Sequence, residues 1–399
     1  MTGSTGTEVR PISDRVSLPV IAREWGRIGC IGFGGPPTHI ALLRQLCVVQ
    51  RRWLSSHEFE DGIAATNLLP GPASTQLAIF CAWRLRGAAG ALVGGLCFIL
   101  PGLTLIIGLS ALFLASHPPR LILGAAAGAG AAVAAVALNA ALGLVPPSWR
   151  RIGISKADHW RWTAYALCGA TAAATIGSFL VLVLLAAGLT EVTIRRLLAR
   201  PPGALHSLGV LPLLAAAATS VAGIGALAWE AFKVGALSYG GGFVIVPLMQ
   251  ADVVHAYHWM TGGQFLNAVA LGQVTPGPVV QTVAVVGFAA AGLGGALLAA
   301  LFAFAPSFAF ILLGGRHFDK IRGSPGVRAF LTGAGPAAIG AIAGSAIPLG
   351  LALTSAWQVG VLGAALIWIL GLRRNVVIGL VGAAAVGVCA SVAGLPVGN

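Results

Sequence analysis

Long apolar stretches alternate with short polar ones along most of the chain. Runs near 87–116, 121–146, 163–194, 208–229, 293–315, 329–353, 358–372 and 375–395 hold few charged side chains, and most reach the roughly 20 residues that a membrane-spanning helix needs. The run 163–194 is too long for one helix and too apolar for a loop, which predicts two helices divided near Gly177. Four other stretches, 28–50, 62–83, 234–250 and 266–286, are apolar but interrupted in the middle. The interruptions are Phe33-Gly34-Gly35-Pro36-Pro37, Pro70-Gly71-Pro72, Tyr239-Gly240-Gly241-Gly242 and Pro276-Gly277-Pro278. Proline lacks the amide donor and clashes with the preceding turn, and glycine weakens a helix interior, so none of the four predicts one straight helix. Irregular backbone at membrane depth is tolerated only where it lines a cavity or is buried in protein.

The four interruptions are related by a constant offset. Phe33 and Tyr239 are 206 positions apart (239 − 33), and so are Trp53 and Trp259, Phe59 and Phe265, and Pro70 and Pro276. Gly29/Gly235, Gly34/Gly240, Gly35/Gly241, Leu42/Leu248 and Arg27/Lys233 keep the same spacing. Such a gapless register marks a tandem duplication. It divides the chain into an amino-terminal arm at 1–19, a first repeat at 20–200, a linker with an additional transmembrane helix at 201–228, and a second repeat at 229–399. The expected fold is an all-α polytopic membrane protein of two inverted-topology repeats with re-entrant or discontinuous helices.

Composition sharpens this picture. With 57% apolar and only 9% charged residues, the chain cannot cover a soluble domain with charge, and it is too apolar to be disordered. Formal charge is +13 (24 − 11), yet the basic residues sit between apolar runs, as cytoplasmic loops do, rather than as a nucleic-acid footprint. The segment Met1–Val20 has no apolar signal core, so membrane insertion is expected from later helices. Cys30, Cys47, Cys81, Cys97, Cys168 and Cys389 lie in apolar stretches without a C-x-x-C, the pattern of small core residues rather than of disulfides or a zinc site. No cofactor is expected.

Charge also predicts orientation. Arg51, Arg52, Arg84, Arg86, Arg150, Arg151, Lys156 and Arg161 mark one side in the first repeat, whereas the Trp259 loop and residues 287–292 have no Lys or Arg. Arg316, Lys320, Arg322 and Arg328 stand where the first repeat has only Arg120. Equivalent loops thus carry opposite bias, which predicts two copies inserted upside down to each other. With the broken segments as re-entrant hairpins, each copy has four crossings, and 20 of the 24 Lys and Arg residues face the cytoplasm (24 − 4). Full crossing of the broken segments would instead put Arg51 and Arg52 outside.

Inverted repeats with paired broken helices point to a transporter with its site between the repeats. Pro72 and Pro278 predict helix starts just after a break, and a helix start offers amide donors and partial positive charge to an anion. Ser74, Thr75 and Gln76 follow one break, and Gln281 and Thr282 the other, as neutral donors suited to an oxyanion. The tips Phe33-Gly34-Gly35 and Gly240-Gly241 permit close backbone approach. Arg27 and Lys233, six residues before each tip, could attract an anion or snorkel to the interface. His39, Glu58, Glu60 and Asp61, with Asp252, His255 and His258, are the clusters available for coupling protons, or else solvated loop charges.

At these residues the sequence resembles the chromate ion transporter family in its long, two-domain form. The likeness rests on Gly32-Phe33-Gly34-Gly35-Pro36-x-x-His39, on Gly240-Gly241-Gly242 with Pro247-Leu248, on Pro70-Gly71-Pro72 with Gln76, and on Pro276-Gly277-Pro278. It implies a bacterial inner-membrane protein that exports chromate and confers resistance, with sulfate as the look-alike anion. Gly242 stands in place of Pro36 and Ile245 in place of His39, so the second copy departs from strict symmetry. Expected partners are chromate or sulfate and the lipid bilayer, with no nucleic acid; a homodimer is one option the sequence leaves open. Moving two negative charges outward across an inside-negative membrane gains about 2 × 2.3 kcal/mol per 100 mV, so export needs little coupling machinery. A membrane-embedded reductase would need a flavin or metal site, and a receptor would not need inverted broken helices.

Overall fold

The computed structural model describes residues 16–66, 69, 71–115, 117–152, 155–175, 177–198, 223–238, 245–314 and 324–397, and no strand occurs among them. Leu18–Ile31 forms α1 and Pro36–Arg44 forms α2, which runs on as a π-helical turn over Gln45–Gln50. Then come α3 (Ser56–Thr66), α4 (Ala73–Phe113), α5 (Arg120–Ala131), α6 (Val133–Trp149), α7 (Lys156–Thr175) and α8 (Leu180–Leu198). The second half holds α9 (Ile224–Leu237), α10 (Ile245–Gln250) with a π-helical turn over Ala251–Ala256, α11 (Gly262–Val274) and α12 (Thr282–Gly314). It closes with α13 (Pro325–Leu351), α14 (Ala356–Leu366) and α15 (Val376–Val392). The division expected near Gly177 is a short 3-10 turn, Gly177–Phe179.

The duplication is visible in the backbone. Adding 206 to the start of α1 gives the start of α9, and likewise α3 gives α11 and the first π-helical turn gives the second. Arg52 (φ 50°) and His258 (φ 53°), left-handed residues after the π-helical turns, keep the offset too. So does Gly71 with Gly277. Beyond Pro278 the offset falls to 205: α4 departs from helical geometry at Arg86 (φ −145°, ψ 21°) and Gly87 (φ 62°, ψ −148°), and α12 does so at Ala291 (φ −152°, ψ 32°) and Gly292 (φ 61°, ψ −152°). The helix α9 begins at Ile224, 206 residues after the start of α1 at Leu18. The linker and most of the additional helix expected over 201–228 lie outside the described residues, as do the arm at 1–15, Tyr239–Gly242, Arg316, Lys320 and Arg322.

The broken segments are hairpins whose feet stay together. In α4 the chain reverses at Arg86–Gly87, so that a methyl on Gly90 would lie 2.3 Å from the Ala82 carbonyl oxygen. Arg84, at the end of the returning limb, pairs with Glu58 at the start of α3. In the first hairpin Arg51 reaches back to Glu24 at 2.6 Å, and Trp53 stacks on Trp25 with ring centroids 6.4 Å apart. Arg44–Glu60, 3.2 Å, joins the feet of the two hairpins. The limb α1 has 14 residues, about 21 Å of helix, too short to cross a hydrocarbon core of about 30 Å.

Four helical stretches among the described residues are long and apolar enough to cross a membrane: Ala73–Phe113, Arg120–Trp149, Val279–Gly314 and Pro325–Leu351. Their faces reverse the soluble pattern. On α4 the inward positions are Gly94, Gly95, Phe98 and Gly102, while Leu92, Leu96, Leu100 and Leu105 point outward. Small residues inside let backbones approach, and leucine outside meets lipid. The packing is exchanged between repeats: α5 lies against α15, and α13 lies against α7 and α8. A methyl on Gly124 would fall 2.5 Å from the Gly387 carbonyl oxygen, and one on Gly340 1.7 Å from that of Ala166, so these pairs demand glycine.

Gly95, early in the outer part of α4, sits against Phe308, late in α12. The two equivalent helices therefore cross antiparallel, and a two-fold axis relating them lies across their length, in the membrane plane. This is the geometry of an inverted repeat. Single cysteines at Ser56 and Gly262, the equivalent starts of α3 and α11, are expected to react with an impermeant thiol reagent from opposite faces of sealed vesicles. The background would have all six native cysteines replaced. Reaction of both from one face would rule out the inversion.

Candidate functional site

The hairpin tips meet between the repeats, and each is closed by the other copy. The Gly277 amide of the second repeat donates to the Gly32 carbonyl of the first at 3.1 Å. Reciprocally, a methyl on Gly71 would come within 3.3 Å of the Gly235 carbonyl oxygen. Each turn thus closes against the other repeat's first hairpin limb, at positions about one helical turn apart in the repeat, since Gly235 is the equivalent of Gly29. The wall behind them is backbone as well. A methyl on Gly102 would lie 2.0 Å from the Pro276 carbonyl oxygen, and one on Gly235 2.0 Å from that of Ala303.

Three described helix starts open here. Gly35 (φ 75°) precedes α2, Gly71 (φ 118°) and Pro72 precede α4, and Gly277 (φ 98°) and Pro278 precede the turn Val279–Gln281 that leads into α12. The left-handed glycines turn the chain where any side chain would be strained. Pro72 and Pro278 occupy the position just before the first helical residue, one place earlier than a first-turn proline. No side chain caps any of the three starts. The first amides of a helix have no partner within it; those after Pro72 belong to Ala73, Ser74 and Thr75, all buried. The uncapped, buried starts after Pro72 and Pro278 are anion-binding chemistry, whereas α2 opens on Pro36 and Pro37, which have no amide hydrogen to offer.

The expected site residues divide into groups. His39, fully buried, places Nε2 2.9 Å from the Gly32 carbonyl and Nδ1 3.3 Å from the Ser74 hydroxyl. A carbonyl only accepts, so Nε2 carries the proton and the ring ties the first tip to the start of α4. Ser74 is thereby engaged by His39. Thr282 donates its hydroxyl to the Val279 carbonyl at 2.8 Å. Gln281 folds back over its own turn, donating from Nε2 to the Thr275 hydroxyl (2.8 Å) and the Pro276 carbonyl (2.9 Å), while its Oε1 has no partner. Gln76 folds the same way, its Nε2 standing 2.5 Å from where a Gly71 methyl would be. Gln76 and Gln281 thus hold one repeat position at the offset of 205, whereas Thr75, fully buried with an unpartnered hydroxyl, stands where the second repeat has Val280. Phe33 and Gly34 are exposed at the first tip, whereas Gly35 is buried. Pro70, Gly240 and Gly241 lie outside the described residues.

The two candidate attracting cations are not alike. Arg27 is 56% exposed and stands 3.6 Å from Glu24. Lys233 is buried, in contact with Glu230 at 2.5 Å and with Asp252. Asp252, expected as a solvated loop charge, is therefore mostly enclosed by this pairing. Sequence reading missed Glu24 and Glu230, buried acids that share the 206 offset, and Ser238, Gln273 and Ser307, buried with unpartnered polar atoms. The signal for Gln273 was present, because Asn67 and Gln273 are amides three residues before the two Pro-Gly-Pro turns.

Discontinuous helices meeting tip to tip across an in-plane two-fold, around buried helix starts, define a membrane transporter of the inverted-repeat class. The chain belongs to the chromate transporter family, whose model matches residues 20–192 and 225–388. It is 32% identical over 336 residues to the chromate transport protein of Cupriavidus metallidurans, covering 81% of this chain and 80% of that one. It is 30% identical over 362 residues to the chromate transport protein of Pseudomonas aeruginosa (87% and 84%). A probable chromate transport protein of Synechococcus elongatus is 29% identical over 369 residues (86% and 91%). No solved structure matches the chain.

The Gly102 contact gives a structural test. Gly102→Val should push the Pro276 turn off α4 and lower stability by about 1–3 kcal/mol, as overpacking does. The expected readout is a lower unfolding temperature of the purified protein in detergent. Gly108→Val, on the same helix with open space around it, should leave that temperature nearly unchanged.

Proposed function

We propose that the protein carries chromate out of the cytoplasm across a bacterial inner membrane and so confers chromate resistance. The observation that carries this reading is the set of uncapped, buried helix starts at the repeat interface, with the unpartnered Thr75 hydroxyl beside one of them. A tetrahedral dianion needs several donors at once, and amides at helix starts supply them without a fixed cation that would hold the ion too tightly to release. Gly71, Pro72 and Thr75 on one side, and Pro276, Gly277 and Pro278 on the other, form this cradle, with Gln76 and Gln281 folded over the two turns to hold their shape. His39 and Ser74 act by fixing the first tip, Phe33–Gly35, in place. Thr282 follows the second turn, and on the sequence alone Pro70 belongs to the first turn and Gly240 and Gly241 to the second tip. Arg27, wet and at the foot of the first hairpin, draws the anion toward its mouth. Lys233 is neutralised by its two carboxylates and does not serve this purpose. The names of three relatives, two chromate transport proteins and one probable chromate transport protein, favour chromate as the cargo.

Thr75→Val keeps shape and removes an orphaned buried hydroxyl, so it should leave stability unchanged or raised. If that hydroxyl bonds the anion, chromate affinity should fall about 5- to 150-fold, the equivalent of about 1–3 kcal/mol. Equilibrium binding to the purified variant measures this, and parental affinity would remove Thr75 from the site. The transport reading is tested with labelled chromate in vesicles of known orientation, driven by an imposed potential. Chromate should move, unreduced, toward the positive side, and competition by sulfate in the same vesicles would report how far the site distinguishes two dianions of one shape. Absence of any movement would refute it.

A further inference from the structure

Glu24 and Glu230 occupy the same place in the two repeats, but their surroundings carry opposite charge. Glu24 faces two guanidiniums, Arg27 and Arg51. Glu230 faces one amine and a second carboxylate, since Lys233 contacts both Glu230 and Asp252. With every group ionised, the first site sums to +1 and the second to −1. An arginine side chain does not exchange its proton in a protein, so the first site is fixed. The second has one carboxylate more than its cation can neutralise.

This excess charge is deeply placed. Glu230 is 2% exposed and Lys233 8%, and Oε1 of Glu230 has no hydrogen-bond partner. The long helix packed along α9 is α12, which has no ionisable side chain. Besides Lys233 and Asp252, the Tyr257 phenol on the adjoining turn feels all three charges. An unpaired carboxylate in such surroundings must take a proton or a metal cation. The Lys233 ammonium already fills the position between the carboxylates that a metal would need. Asp252, whose side chain is 16% exposed, gives the trio a route to water.

We propose that Glu230, Lys233 and Asp252 form a proton-binding site whose occupancy sets the affinity of the central oxyanion site. The proton comes from solvent by way of Asp252 and resides on a carboxylate oxygen of the Glu230–Asp252 pair, bringing the trio from −1 to neutral. Glu230 lies five residues from Gly235, the residue that closes against Gly71, about 8 Å along the helix. At that range a net negative charge repels a dianion, and its removal favours binding. Linkage is reciprocal, so binding of the oxyanion must also raise the affinity for the proton. This inference rests on the oxyanion-transport reading.

The test is chromate binding to purified full-length protein across about pH 6 to 9, a range in which buried carboxylates are known to titrate. Chromate itself takes up a proton near this range, but that contribution is common to all variants. The parent should lose affinity as pH rises, by up to about tenfold per pH unit once the trio deprotonates. Glu230→Gln leaves a neutral Lys233–Asp252 pair, so it should bind about 10- to 100-fold tighter than the parent near pH 9, with the slope of chromate alone. Asp252→Asn, at the wetter end of the trio, should flatten the profile in the same way and stands in if Glu230→Gln fails to fold. Parental slopes in the folded variants would overturn the proposal. A folded parent that binds chromate with no slope beyond that of chromate would overturn it and leave the transport reading intact. A folded parent that binds no chromate at any pH would remove both.

Discussion

Everything in this fold follows from one constraint: a helix that stops inside a membrane leaves amides and carbonyls that lipid cannot satisfy. The chain stops helices there repeatedly, at Gly32–Gly35, before Pro72 and before Pro278. It meets the constraint by pressing the ends of one repeat against the backbone of the other, Gly277 on Gly32 and Gly71 on Gly235. Close approach of backbones requires glycine at the meeting points, as at Gly102, Gly124, Gly235 and Gly340. The leucines displaced from those faces end up against lipid.

The two-fold relation then does chemical work, because it places two helix starts near one another without repeating every side chain there. Gln76 and Gln281 share a repeat position and fold alike, but Ser74 corresponds to Val279 and Thr75 to Val280, so the hydroxyls stand on one side alone. The cradle is symmetric in backbone and asymmetric in side chain. The same division holds at the hairpin feet, where equivalent glutamates meet two arginines in one copy and a lysine with an aspartate in the other.

Much of the architecture was legible because it is carried by spacing. A single offset of 206 exposed the repeats, the broken segments and the paired turns, and loop charge gave the inversion. What escaped is what depends on packing. Glu24 and Glu230 shared the offset openly, yet their burial follows from how α1 and α9 lie against α4 and α12, which no local pattern states. Ser307 corresponds to Gly102 only through the shifted offset of 205, so the match of a small wall residue was lost past Pro278. His39 was readable as a candidate for proton coupling, but its bonds to Gly32 and Ser74 make it a fastener, a distinction set by distances.

The reciprocal closure of the tips also bears on how such a chain is made. When residues up to Leu198 have been inserted, the Gly32 carbonyl and the Gly71 turn have no counterpart, because Gly277 and Gly235 have yet to be synthesised. The first repeat must wait in the bilayer with its ends open, and whichever inverted copy arrives first can close them. Fusing the copies in one chain makes that arrival intramolecular and raises its effective concentration, so the nascent half is completed by its own sequel rather than by a neighbour.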